Sequence, residues 1–355
     1  MIATARKLIA QGSRSRPARV IVQCLVSLVL LGLLLRAAPQ DSLAAAWQAV
    51  GWQTLILACG CYVLASLTSV RRWQILLRGQ GVNENMLRLT EIYVIGLFCS
   101  LFLPTSAGGD AYRVFEVARR GGPTARVLLA TLQDRLVGLG GMMLLGLLGL
   151  LWYGDLLPPK LFLTVLVVYG LGVPGVVALL NLGPLLRLGT RPVARLRRTQ
   201  LGARLLAVVN PFCETPRLSD WRSLRVISLA VMTFLFAVAM YAVVCQACGA
   251  SCGFLALCLI VSLVAVARML PISLGGLGVG EEAFVVLMAL FGIGADKAAP
   301  IALVILGVSV SMSLLGGLLL VRRMLFVASA QADAAPPALL PFPTPVRAQG
   351  GARAA

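Results

Sequence analysis

Leu103-Pro104-Thr105-Ser106-Ala107-Gly108-Gly109 and Leu270-Pro271-Ile272-Ser273-Leu274-Gly275-Gly276 are near copies, both reading L-P-x-S-x-G-G. Each lies inside a long apolar stretch, and each is followed by carboxylates: Asp110 after the first, Glu281 and Glu282 after the second. Proline and paired glycines break helices. A break at membrane depth survives only where protein or a water-filled cavity satisfies the freed backbone groups. A matched pair of breaks, one per half of the chain, points to a transporter site built from an internal repeat. Chance recurrence in a Leu- and Gly-rich chain is the competing explanation, and it leaves the matched position and context unaccounted for.

The surrounding composition sets the class. Of the 355 residues, 59% are hydrophobic and 12% are charged. A soluble domain carries about twice that charged fraction. Several apolar runs reach the roughly 18 residues needed to cross a bilayer as a helix. The expected fold is all-α: a polytopic helical membrane protein with six full spans and two re-entrant broken-helix hairpins, about eight apolar segments, related as an inverted repeat.

The six spans are read at residues 20–35, 52–70, 127–153, 161–182, 226–248 and 298–321. The first hairpin enters through residues 92–103, too few to cross, and leaves through a short amphipathic helix at 110–121. The second enters through 254–270 and leaves through 281–291. A single transmembrane domain is expected over 20–325, with halves of about 20–183 and 184–325. It is flanked by a basic tail at 1–19 and a disordered Ala-, Pro- and Gly-rich tail at 326–355. Arg36, closing the first apolar run, argues for an uncleaved span over a signal peptide.

Positive residues accumulate in cytoplasmic loops beside span ends. Here they fall in the N-terminal tail, after the second span (Arg71, Arg72, Arg78, Arg88), through residues 183–225, and at Arg322-Arg323. The other loops are nearly neutral. All the basic clusters share one side if both broken segments are re-entrant, which places both termini in the cytoplasm of a bacterial-type inner membrane. Three full spans separate the two hairpins, so they are expected to enter from opposite faces. The net charge of +18 is accounted for by this orientation, so nucleic acid is not an expected partner. Basic residues beside spans also attract anionic lipid head groups.

There are no histidines, which removes the commonest general base and metal ligand. No catalytic motif is recognised, and neither a cofactor nor a metal is expected. Cys245, Cys248 and Cys252 have spacings able to bind metal or form a disulfide, but cysteine also serves as a small apolar residue, and the other six are scattered. The intramembrane charges carry more information. Asp134-Arg135 lies inside the third full span, and Arg268 lies just before the second break. Charges at such depth pair, face a cavity, or both. Asp110 and Arg113 share a face of the helix after the first break. Asp110, Glu281 and Glu282 are open to two readings, helix capping alone or capping with a site role. For Arg135, an ion pair with Asp134 is the structural rival to a site role.

The run Leu103-Pro104-Thr105-Ser106-Ala107-Gly108-Gly109-Asp110-Ala111-Tyr112-Arg113 resembles the LPxxxGGDxxR signature of the lysylphosphatidylglycerol synthase transmembrane region, the flippase-like domain family. Arg72-Trp73, Asp134-Arg135 and the run 270–281 match as well, so the resemblance covers roughly residues 20–325. One position departs: the family usually carries arginine directly before the glutamate of the second motif, where this chain has Gly280. A role for that arginine is open unless Arg268 replaces it. The resemblance implies movement of a lipid or lipid-linked head group between leaflets. Some members are fused to a soluble aminoacyl-transferase domain, which is expected to be absent here because the chain ends soon after its last span.

The expected substrate site comprises Gly108, Gly109, Asp110, Arg113, Asp134, Arg135, Arg268, Gly275, Gly276 and Glu281. The arginines would contact phosphate through the planar guanidinium fork. The glycines would let backbone amides approach the head group, and the carboxylates would counter a cationic group or relay protons. Expected partners are membrane lipids, either an anionic or head-group-modified phospholipid or a polyprenyl-linked lipid, with a separate lipid-modifying enzyme as a further candidate. The alternative is a membrane accessory or enzyme in lipid-linked sugar or aminoacyl-lipid metabolism, which would need Asp110 and Glu281 to act as a carboxylate pair.

Overall fold

The computed structural model describes residues 23–36, 46–102, 108–180, 221–270 and 272–333, apart from Cys24 and Trp47. The loop of the first motif at 103–107, Pro271, the basic segment at 181–220 and both chain ends lie outside the described residues. Every regular element among the described residues is helical: α1 (Leu25–Arg36), α2 (Trp52–Gly79), α3 (Met86–Phe102), α4 (Gly108–Ala118), α5 (Thr124–Tyr153), α6 (Pro159–Leu180), α7 (Trp221–Ala247), α8 (Phe254–Met269), α9 (Val279–Leu290) and α10 (Ala295–Asp333). Five of them, α2, α5, α6, α7 and α10, are long and apolar enough to cross a bilayer. The remaining expected span is represented by α1, whose first residues lie outside the described part. Large apolar side chains such as Leu151, Trp152, Leu163, Leu171, Val286 and Leu318 point outward. A soluble monomer does not expose so much contiguous apolar surface. The chain is a multi-pass helical membrane protein.

Helix ends follow local chemistry. The arginines at 71 and 72 do not end α2. It continues to Gly79 and stops where Gly81 takes a φ of 77°, a left-handed conformation that glycine adopts without penalty. Arg72 therefore sits inside a helix and is buried, so it leaves the set of loop charges that orient the chain. At the other end of the chain, α10 runs to Asp333, into the segment expected to be tail. Residues 328–333 hold three alanines and a glutamine, all good helix formers, and the first proline after them is Pro336.

Each break produces a hairpin with a long entering arm and a short leaving arm. Helices of 17 and 11 residues flank the first, and helices of 16 and 12 flank the second. The first hairpin opens where α2 ends and α5 begins: Gly81, at its entrance, lies against Arg126 in the first turn of α5. The second opens at the other end of α5. There Tyr153 packs edge-on against Phe291 with ring centroids 5.5 Å apart, and its hydroxyl meets Gly253. The 30 residues of α5 span about 45 Å at 1.5 Å per residue, so the two mouths lie at opposite ends of the bundle. A Cβ on Gly275 would come within 2.7 Å of the Leu101 carbonyl oxygen, so the second break is pressed onto the end of α3.

Small residues let the helices around this core approach closely, as membrane interfaces require. Gly149 of α5 faces the Leu255 carbonyl and Leu259 of α8, and Gly316 of α10 sits against the Val94 carbonyl of α3. The long helices thus clamp both hairpins and hold their charged residues inside the bundle.

Candidate functional site

Asp134 is the centre of the first cluster. It projects from the middle of α5 and is 3% exposed. Its Oδ1 accepts from Arg72 Nε at 2.7 Å and its Oδ2 from Arg113 Nη2 at 3.2 Å. Arg113 also donates from Nη1 to Asp110 Oδ1 at 3.2 Å. Arg135 donates to the other oxygen of Asp110. The expected structural pair of Arg135 with Asp134 is therefore not formed. Adjacent helical residues project about 100° apart, and these two face different partners.

Arg113 is also held by aromatic faces. Its guanidinium carbon lies 4.1 Å from the Trp73 ring centroid and 4.8 Å from that of Tyr93. Trp73 is fixed in turn by an indole N–H donated to Thr131 Oγ1 at 3.2 Å. Cation–π contacts of this kind strengthen when desolvated. The guanidinium is oriented before any ligand arrives.

Arg72, Tyr93, Asp110, Arg113, Asp134 and Arg135 line a chamber of about 270 Å³ whose wall includes Gly109, Ser100, Gly138 and Met269. Three guanidinium groups meet two carboxylates there. Two buried donors in this wall, Arg72 Nη1 and Arg113 Nε, have no partner. Buried polar groups are otherwise almost always satisfied, so orphans at one cavity mark where a ligand's acceptors would fit.

The second cluster lies on the second hairpin. Arg268, in the last turn of α8, donates from Nη2 to Glu281 Oε1 at 2.7 Å. The other oxygen, Oε2, accepts the Gly278 backbone N–H at 2.7 Å, closing the start of α9. Glu281 therefore both caps a helix and binds an arginine. Arg268 faces a second chamber of about 260 Å³, mostly apolar, which shares Tyr93 and Leu97 with the first as a common wall.

Residues 20–317 match the family described as the lysylphosphatidylglycerol synthase TM region. The chain belongs to that family. No curated protein and no solved structure is detectably similar to it. Membership places the chain among membrane domains associated with phospholipid, and it fits a bundle organised around two broken hairpins.

Of the ten residues expected in the site, Gly109, Asp110, Arg113, Asp134 and Arg135 line the first chamber, and Arg268 lines the second. Gly108 is buried at the start of α4. Gly275 and Gly276 line neither chamber; the close approaches they permit are to Leu101 and to Arg268. Asp110 and Glu281 belong to separate clusters, each tied to its own arginine, so they do not form one carboxylate pair. Arg72 is the addition. Its signal in the sequence was a charge inside a helix that nothing terminates until Gly79. Cys245, Cys248 and Cys252 are free thiols, and among the described residues no three His, Cys, Asp or Glu side chains are placed to hold a metal.

Proposed function

We propose that this family member moves a phospholipid between leaflets by receiving its phosphate in the chamber around Arg72, Arg113 and Asp134. One observation carries this reading: two buried guanidinium donors without a hydrogen-bond partner belong to arginines that line a cavity beside the place where the second break packs on the entering arm of the first hairpin. A buried donor without an acceptor is costly, and the oxygens of an anionic head group would supply the missing acceptors. A guanidinium suits this task because its fork matches phosphate oxygens.

The rest of the geometry fits that role. Gly109 lets the end of α4 lie against α3, and Asp110 holds both Arg113 and Arg135 at the wall. Arg135 is 39% exposed along its side chain, so the site is reachable from one flank. Acyl chains would remain in the bilayer while the head group occupies the chamber. Arg268, Glu281, Gly275 and Gly276 would act on the second hairpin, beyond the Tyr93–Leu97 wall. Hairpins that enter from opposite ends are suited to alternating access. The chamber is smaller than the roughly 300–1,000 Å³ of drug-sized ligand sites, which favours a compact phosphodiester over an oligosaccharide head. In this reading the first hairpin opens to the cytoplasm of an inner membrane, on the side of Arg78, Arg126 and Arg323.

The test is translocation of acyl-labelled phosphatidylglycerol in proteoliposomes, read by dithionite quenching, with phosphatidylcholine as the uncharged control. Purified protein is expected to move phosphatidylglycerol faster. Arg113→Lys is expected to lower the rate about tenfold or more at normal thermal stability, because lysine keeps the charge and loses the fork. Full activity of Arg113→Lys, or equal movement of both lipids, would overturn the reading.

A further inference from the structure

We propose that the second hairpin carries an anion-receiving site of its own, built on Arg268 in the apolar chamber, and that residue 280 is glycine to make room for it. The ligand is the phosphate of the same lipid, so the inference rests on the transport reading and adds a second station to it.

The path of the Arg268 side chain is the first support. It leaves the end of α8 and crosses a trough floored by two glycines. A Cβ on Gly276 would lie 2.9 Å from Arg268 Cβ, and a Cβ on Gly280 would lie 2.1 Å from Arg268 Nε and 2.7 Å from its Cγ. A side chain at 276 or 280 would push Arg268 off this path, so the observed approach to Glu281 depends on both glycines. The position that departs from the family motif is thus the floor under the arginine that stands in for it.

The fixation of Arg268 is the second support. Glu281 is 2% exposed and is tied to the Gly278 N–H, so it holds the guanidinium against a helix start instead of moving with it. This contact uses one Nη2 donor, and Nε is buried with no partner. A guanidinium carries five N–H donors, so donors remain after a structural pairing. The third support is the surroundings. The chamber that Arg268 lines also presents Ser66, Ser69, Thr233 and Ser309 and the rings of Tyr62 and Tyr241 within mostly apolar walls. A phosphodiester flanked by hydrocarbon matches such a lining, whereas a free, fully hydrated phosphate does not.

The experiment reads occupancy of this chamber directly. p-Benzoylphenylalanine placed at Ala237, in its wall, is photo-activated in proteoliposomes containing ³²P-labelled phosphatidylglycerol. Crosslinking is expected, with competition by phosphatidic acid and none by diacylglycerol. Arg268→Lys and Gly280→Ala are each expected to lower it about tenfold, the loss of one charge-assisted hydrogen bond, with the labelling of a first-chamber probe at Leu139 retained. A role for Arg268 that is only structural would lower both probes together and would overturn the proposal. If the variants do not fold, the competition on the wild-type background decides: competition by diacylglycerol equal to that by phosphatidic acid, or by inorganic phosphate alone, overturns it. Absence of crosslinking at 237 alongside intact Arg113-dependent transport would remove the second station and leave the transport reading standing.

Discussion

Arg72 and Asp134 meet at 2.7 Å inside the bundle, joining α2 to α5 through side chains that are each about 5% exposed. Asp134 is the only carboxylate contacting Arg72 among the described residues, and it also serves Arg113. Removing one member of a buried pair leaves an uncompensated charge, at a cost of roughly 3–5 kcal/mol. Asp134→Ala is therefore expected to lower stability strongly. Arg135→Gln is expected to cost about 1 kcal/mol or less, because its partner contact is half-exposed and solvent screens it. Thermal unfolding of both variants in one detergent checks this. Equal losses would mean that Arg135, and not Arg72, neutralises Asp134.

Gly109 and Gly96 bring the two arms of the first hairpin together. A Cβ on Gly109 would lie 2.2 Å from the Gly96 carbonyl oxygen and 2.1 Å from Ser100 Oγ. Backbone cannot yield as a side chain can, so Gly109→Ala must spread α3 from α4. Overpacking of this kind costs roughly 1–3 kcal/mol. It would also displace Arg113, one turn further along α4, so transport is expected to fall with stability. Gly170→Ala, where nothing lies within 4 Å of the added methyl, is the matched control and is expected to be silent. Wild-type behaviour of Gly109→Ala would show that the arms do not pack as described.

The two breaks were legible because proline and paired glycine have local, unavoidable backbone consequences, and the duplicated motif marked them twice. Asp110, Arg113, Asp134, Arg135, Arg268 and Glu281 were visible because charge is rare in this composition. Their pairing was not visible. Asp134 and Arg135 are neighbours in sequence, yet helical geometry turns them to different partners, and only the tertiary approach of α2 and α4 reveals which. Arg72 stood out only as part of the matching Arg72-Trp73 pair and otherwise read as a basic span end, so its burial against Asp134 was not legible. The second chamber left no sequence signal, since Tyr62, Tyr93 and Tyr241 come from three helices and each alone reads as bundle packing. Gly280 was legible only as a departure; the Arg268 side chain crossing it supplies the physical reason.

Leu87 and Phe254 begin the entering arms of the two hairpins, and both are exposed. With the mouths at opposite ends of α5, single cysteines at these positions in a cysteine-free background are expected to label from opposite sides of the membrane. An impermeant maleimide applied to intact cells and to inverted vesicles reads the difference. The Leu87 site should react in inverted vesicles and the Phe254 site in cells, if the basic helix ends face the cytoplasm. Reaction of both from one side would remove the opposed-hairpin arrangement, and with it the alternating-access argument.

Tyr93 stands between the two chambers and stacks on Arg113, 4.8 Å from the guanidinium carbon. With Leu97 it separates the space of about 270 Å³ lined by Arg72, Arg113 and Asp134 from the more apolar space of about 260 Å³. One ring would then have two effects under the transport proposal: it orients the arginine through its π-face, and it would block passage between the proposed stations. Tyr93→Phe keeps the ring in both roles and is expected to transport at close to the wild-type rate. Tyr93→Ala removes the wall and one of the two aromatic faces on Arg113, leaving Trp73 to hold it. The chambers would then merge, and lipids would pass without being held by phosphate. The expected result is a higher basal rate for phosphatidylcholine and a loss of about tenfold in preference for phosphatidylglycerol, the magnitude of a desolvated cation–π contact. Both rates come from the same dithionite assay, with thermal stability measured alongside. If Tyr93→Ala is stable and keeps its preference while Tyr93→Phe loses it, the hydroxyl and not the ring is the working part, and the wall between the chambers is not the gate.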